Sequence, residues 1–297
     1  MVMRISVSRG RGRVRVAGAV LAAAALVGGA VAAPAQVQAR PAVNYVNLGD
    51  SFSAASGVSP QVPGGSPNCS QSQRNTAHVI AAKYRYRLTD VSCGGAKTED
   101  FFHPQAGTSK PQLAALNDRT DLVTFMIGGN DGDMFATAIA ECTALGVLSG
   151  QRGNPCERQA GAKLIKLVRT QTYPDLVKAM RAVRAAAPNA RVAVLNYPMI
   201  VGDDTRPCPA MVASPGDKPF IHRLQTELND AVARAAAETG VEVVDVAAAS
   251  KGHDACTPEG VRWVEPTLTT VQPVPLHPNA LGAAKMAAVA GQALRLS

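Results

Sequence analysis

Three short blocks of this sequence hold the side chains that acyl transfer requires. Gly49-Asp50-Ser51 places a serine directly after a run of β-forming residues that ends at Gly49. A serine at such a strand-to-helix turn exposes its hydroxyl and keeps a free backbone N–H, because the first N–H groups of a helix lack internal partners. Gly49 relieves the steric cost of the turn. The same three residues would also make an ordinary helix cap, and the G-x-S-x-G elbow is absent around Ser51. In Gly128-Gly129-Asn130-Asp131, Asn130 can aim an amide N–H at a developing oxyanion, or sit in a glycine-rich turn with left-handed backbone. His277, in Pro275-Leu276-His277-Pro278-Asn279, is the residue type that serves a serine nucleophile as general base. A single histidine in a proline-rich loop means little alone, and His78, His103, His222 and His253 are further copies of the same residue. Only the three together point to acyl transfer, each at the carboxyl end of an expected strand or the start of an expected helix.

The elements that would position them alternate along the chain. Val43–Leu48, Arg87–Val91, Asp121–Ile127, Arg191–Leu195 and Val241–Val246 read as strands. DLVTFMI and RVAVL are almost continuously apolar, as strands buried on both faces are. Helices are expected over Ser70–Tyr86, over 161–187 with Pro174 dividing the run, over 219–239 and from Asn279 to Leu296. In the third of these Phe220, Leu224, Leu228 and Val232 recur every fourth residue, and Gly240 ends it. Five strands separated by helices predict an α/β protein with a parallel, doubly wound sheet, whose sites lie in loops at the carboxyl ends of strands. The connections 57–70 and 200–218 are rich in Pro, Gly and Ser and are expected on the surface.

The first forty residues carry a different signal. Arg4, Arg9, Arg11, Arg13 and Arg15 precede an apolar run, and small residues follow in APAQVQA. This is the pattern of a secretory signal peptide, 1–39, with cleavage after Ala35 or Ala39. The apolar run is short of the ~20 residues that a membrane span needs, and adjacent twin arginines are absent. Loss of those five arginines takes the formal charge from +8 to +3, which gives no reason to expect nucleic acid. A 46% hydrophobic share excludes intrinsic disorder. Residues 40–297 therefore read as one exported, soluble domain without stable membrane insertion. Its six cysteines, an even number in an exported chain, read as three disulfides. Sequential pairing, Cys69–Cys93, Cys142–Cys156 and Cys208–Cys256, would staple one connecting segment with each bond. No C-x-x-C pair occurs, so no metal site is expected.

In this order and spacing, the blocks around Ser51, Asn130 and His277 resemble those of the GDSL, or SGNH, hydrolases. The chain is similar to their secreted, three-disulfide lipase/esterase branch from actinobacteria, from residue 43 to the C-terminus. The resemblance implies a flavodoxin-like three-layer fold with a five-stranded parallel sheet, and the same sequential cysteine pairing. It implies Ser51 as nucleophile, His277 as base, and an oxyanion hole from the N–H of Ser51, the N–H of Gly95 (or Gly94) and the Asn130 amide. One position departs from the pattern. Where the family carries an aspartate three residues before the histidine, this chain has Val274. The resemblance then implies a Ser-His dyad with a backbone carbonyl of Val274 or Pro275 on the imidazole. Glu265 or Asp254, brought near by folding, are the alternatives. The implied activity is hydrolysis of fatty-acyl esters without metal or organic cofactor by a monomer. Phospholipase A1 or acyltransferase chemistry on the same site, and a non-catalytic binding module, are the rival readings.

Overall fold

The computed structural model describes residues 42–297; the expected signal segment and its cleavage sites lie outside them. Five strands, β1 (Asn44–Asn47), β2 (Arg87–Asp90), β3 (Leu122–Phe125), β4 (Arg191–Leu195) and β5 (Glu242–Val244), form one sheet. All neighbours are parallel, in the order β2-β1-β3-β4-β5. The α/β, flavodoxin-like expectation thus holds; Arg191–Leu195 keeps its expected bounds and the other four strands are shorter by one to three residues. Val46, Val123, Val194 and Val244 are buried along it, which explains the unbroken apolar runs of the central strands.

Chain direction across the sheet reverses at β1. The crossover to β2 runs one way and the later crossovers run the other, so right-handed connections place helices on opposite faces. α2 (Thr76–Tyr84) packs with α8 (Ala280–Ala293), and α5 (Tyr173–Ala186) packs with α6 (Lys218–Thr239). The crevice at such a reversal opens beyond the carboxyl ends of β1 and β3.

Several elements differ from the sequence reading. The first long helix begins at Thr76 instead of Ser70, because Asn75 caps it: its side chain accepts the His78 N–H at 2.9 Å. Pro174 does not divide 161–187. Helical dihedrals run through Val168–Thr172, where the turn widens to π geometry just ahead of the proline, and α5 starts at Tyr173. A wider turn moves the carbonyl that the proline ring would otherwise strike. The last helix stops at Ala293 instead of Leu296. α3 (Met134–Leu148) has no counterpart in the sequence reading. Finally, the connection 200–218 does not simply lie on the surface. Ile200, Val201, Cys208 and Met211 are buried with Ala255, Val264 and Leu276 in a second apolar cluster.

The disulfides are Cys69–Cys93, Cys142–Cys156 and Cys208–Cys256. The third ties the 200–218 connection to the segment that leads toward His277.

Candidate active site

Asp50, not Ser51, caps the short helix α1 (Ser51–Ala54): its Oδ1 accepts the Phe52 N–H at 2.9 Å. Ser51 is therefore the first helical residue, its own N–H left without a partner inside the helix. The preceding turn needs glycine. Gly49 has φ +114°, and a Cβ there would stand 2.3 Å from the Met126 carbonyl oxygen. Gln112 locks the same peptide twice, accepting from Gly49 N–H at 2.6 Å and donating to its carbonyl at 3.0 Å. The Met126 N–H donates to Ser53 Oγ at 2.8 Å, which ties this turn to the strand end that leads into the asparagine block.

A buried hydroxyl completes that tie. Tyr197, just beyond β4, donates to Asp50 Oδ2 and accepts the Gly129 N–H at 3.0 Å. One phenol thus joins the serine turn to the asparagine turn. Burial pushes the Asp50 carboxyl up to about 7 against the hydrogen bonds from Tyr197, Phe52 and Ser53, and pushes the Tyr197 phenol far above its ordinary value. Nothing in the sequence signalled Tyr197; its role depends on β4 lying beside β3.

His277 meets Ser51 across 226 residues of chain, with Nε2 2.7 Å from Oγ. Nδ1 lies 2.8 Å from the Pro275 carbonyl, so Nδ1 carries the hydrogen and Nε2 is left as acceptor for the serine proton. Neither distant acid orients the ring. Asp254 caps a turn through the Cys256 N–H at 2.8 Å. Glu265 is fully buried and accepts from Arg262 Nη2 (2.8 Å), Asn279 Nδ2 (2.7 Å) and Val271 N–H (3.1 Å). Against the desolvation that burial imposes, those bonds hold its carboxyl below the usual glutamate value.

Glu265 works on the backbone instead. Its N–H donates to the His277 carbonyl at 3.0 Å, and its carbonyl accepts the Leu276 N–H at 2.9 Å. Asn279, which Glu265 holds, also caps α8 through the Gly282 N–H. The histidine therefore sits between a β-bridge and a helix cap. Leu276 takes φ +59°, a left-handed conformation that costs a non-glycine residue about 1–2 kcal/mol. Its side chain is buried in the second apolar cluster, which secures it. The imidazole packs on Phe52, ring centroids 5.0 Å apart. Burial lowers its proton affinity below that of an ordinary histidine, with the Pro275 carbonyl opposing.

The remaining candidate donors, from the glycine and asparagine blocks, line the same cavity as Ser51. Gly94 spends its N–H on the Cys69 carbonyl at 2.9 Å. Gly95 has φ +75° and its N–H has no acceptor among the described residues, so of the two glycines it is the one with a donor to offer. Asn130 is not left-handed: φ −95° and ψ −6° place it in the bridge region, and Gly128, Gly132 and Asp133 take the positive φ values. Its Nδ2 donates one hydrogen to the Ala96 carbonyl at 3.0 Å, and the amide has a second to give. Next to it, Asp131 accepts from Thr98 N–H (2.8 Å) and Oγ1 (3.1 Å), joining this block to the glycine block.

Ser51, His277, Gly95 and Asn130 all border a cavity of about 400 Å³. Much of the rest of its lining is apolar, including Phe135, Ile139, Ile200, Met211, Ile221 and Leu224. A hydroxyl with a proton acceptor, unspent N–H donors and an apolar cleft can bind and cleave an ester that carries an acyl chain.

The comparisons with known proteins agree. The model of the GDSL-like lipase/acylhydrolase family matches residues 48–285. Lipase 2 of Streptomyces coelicolor is 48% identical over 260 residues, covering 87% of this chain and 88% of the relative. Among solved structures, a phospholipase A1 from Streptomyces albidoflavus superposes with a TM-score of 0.72 at 28% identity, covering 84% of this chain and 99% of that one. An extracellular lipase from Streptomyces rimosus gives the same TM-score of 0.72 and 28% identity, covering 85% and 100%.

Proposed function

We propose that Ser51 and His277 carry out the chemistry of this chain, which belongs to the GDSL-like lipase/acylhydrolase family and is a carboxylic-ester hydrolase of the lipase and esterase kind. His277 Nε2 takes the Ser51 proton as Oγ attacks the ester carbonyl. The resulting oxyanion lies among the N–H groups of Ser51 and Gly95 and the Asn130 amide. Collapse expels the alcohol, which receives the proton from His277 and leaves an acyl-serine. Water, deprotonated by the same imidazole, then releases the acid. The observation that carries this reading is the 2.7 Å contact between Ser51 Oγ and His277 Nε2 at the mouth of the apolar cavity. The acyl chain lies along the wall that includes Phe135, Met211 and Leu224, which favours fatty-acyl substrates. The enzyme acts as a monomer after export and removal of residues 1–39, in keeping with the extracellular S. rimosus neighbour.

The test is Ser51→Ala. It abolishes hydrolysis of p-nitrophenyl acyl esters and reaction with an organophosphonate probe, and leaves the thermal midpoint nearly unchanged. Turnover by a folded variant would refute the assignment. A phospholipase A1 activity is the second reading, favoured by the S. albidoflavus neighbour. Product analysis on a phospholipid with distinct acyl chains separates it from cleavage of simple esters alone.

A further inference from the structure

α3 is unusual for a helix that reaches the surface. Its fifteen residues, MFATAIAECTALGVL, include one charged side chain, Glu141. The inward side, with Phe135, Ala138 and Cys142, lines the cavity beside Ser51. The exposed side is apolar as well: Ala140, Ala144, Val147 and Leu148 are exposed, as are Ala136 and Ile139, which also border the cavity. Val147 is 62% and Leu148 82% exposed. A surface helix ordinarily turns polar residues outward, and one that is apolar all round is normally buried.

Exposed apolar residues recur on the loop that is bonded to the segment beside α3. Gly146 lets the Val212 carbonyl approach within 2.7 Å of where a Cβ would stand, so the end of α3 lies against the 210–213 segment. That segment is bonded in turn to the next loop: Thr267 Oγ1 accepts the Val212 N–H at 2.9 Å, and the Leu268 N–H donates to the Ala210 carbonyl at 2.8 Å. Leu268 and Val271, on that loop, are 49% and 56% exposed. Ile139, Met211, Ala213 and Thr267 line the cavity itself. Among the described residues, five of the seven exposed large apolar side chains lie on α3 (Ile139, Val147 and Leu148) or on the loop bonded to the segment beside it (Leu268 and Val271). Patches of this kind, rimming a ligand cleft, mark interaction sites.

We propose that the outward face of α3, with Leu268 and Val271, is the surface by which the enzyme settles on aggregated lipid, so that acyl chains enter the cavity without crossing water. The inference rests on the ester-hydrolase reading of that cavity, and continuity between rim and acyl wall is what selects lipid as the occupant. The contact is peripheral: among the described residues no helix is long and apolar enough to cross a membrane, and α3 would lie in the interface with its apolar side chains submerged.

The test uses vesicles of a diether phosphatidylcholine, which cannot be hydrolysed, so binding is read apart from catalysis. The protein co-sediments with them. The double variant V147S/L148S, and separately L268S, bind about tenfold or more weakly, as expected when buried aliphatic side chains are lost from the contact. Neither variant alters turnover of a water-soluble short-chain ester, because these residues do not line the cavity, and both lose turnover of an emulsified long-chain ester in parallel with binding. Unchanged vesicle binding in the variants, or none by the parent protein, overturns the proposal. A parent that elutes as a dimer and becomes monomeric as V147S/L148S overturns it too, since a second copy would then cover the face. Failure of the ester-hydrolase reading shows separately, as ester turnover retained by Ser51→Ala.

Discussion

At the scale of single residues, the site is organised by which hydrogen bonds are already spent. Gly94 has used its N–H and Gly95 has not; the Asn130 amide has used one hydrogen and keeps another. Asn130→Ala is expected to lower kcat by about 10²–10³ with a small change in KM, the cost of one preorganised oxyanion donor. Tyr197→Phe, which touches no reacting atom in this scheme, is expected to lower kcat by less. It removes the bridge between the serine turn and Gly129, and steady-state kinetics on a soluble ester reads the split. His277 must be neutral to accept the serine proton. Because burial lowers its pKa, the acid limb of kcat/KM is expected below the ordinary histidine value of about 6.5. A limb at or above that value would contradict the environment described. The residue types at Ser51, Asn130 and His277 were legible in the sequence because short motifs carry them. Tyr197 was not, because a lone tyrosine after a strand has no pattern to betray its partner.

At the scale of elements, what a short acid–histidine motif would do by direct contact is done by a bridge and a cap. Glu265 grips Arg262 and Asn279, and its backbone pairs with Leu276 and His277. Glu265→Gln leaves the buried Arg262 charge without its counter-ion, and breaking a buried pair costs about 3–5 kcal/mol. A marked fall in the urea midpoint is therefore expected. The acid limb of kcat/KM should stay in place, since the imidazole's partner is the Pro275 carbonyl; a shift of that limb to lower pH would show that Glu265 acts on the ring electrostatically. The element scale is also where sequence reading failed most clearly. α3 leaves no amphipathic periodicity to read, because it is apolar on both faces. The π-shaped turn ahead of Pro174 likewise depends on how neighbouring helices pack, and residue identity does not announce it.

At the scale of the whole molecule, the acids buried between blocks make stability depend on pH in an uncommon direction. Burial raises the Asp131 carboxyl to about 7 against the two bonds from Thr98, above the value of about 3.9 in an unfolded chain. Between those values the native state holds the extra proton. This contribution to stability is therefore fully present below about pH 3.9 and is lost as pH rises to about 7. Asp131→Asn keeps an acceptor for the Thr98 N–H and offers an N–H to its hydroxyl. Urea midpoints measured from pH 4 to 8 are expected to vary less in the variant than in the parent, and an unchanged profile would remove Asp131 as a source. Composition and local pattern by themselves determined the α/β class, the five strands and the three candidate site residues, because strand burial and turn chemistry leave marks within a few residues. The tertiary structure decided which groups meet. Whether an imidazole 226 positions away reaches a serine, which glycine keeps a free N–H, and which carbonyl takes the place of the missing aspartate all follow from long-range packing. Those contacts join residues that the chain keeps far apart, so no local stretch of it encodes them alone.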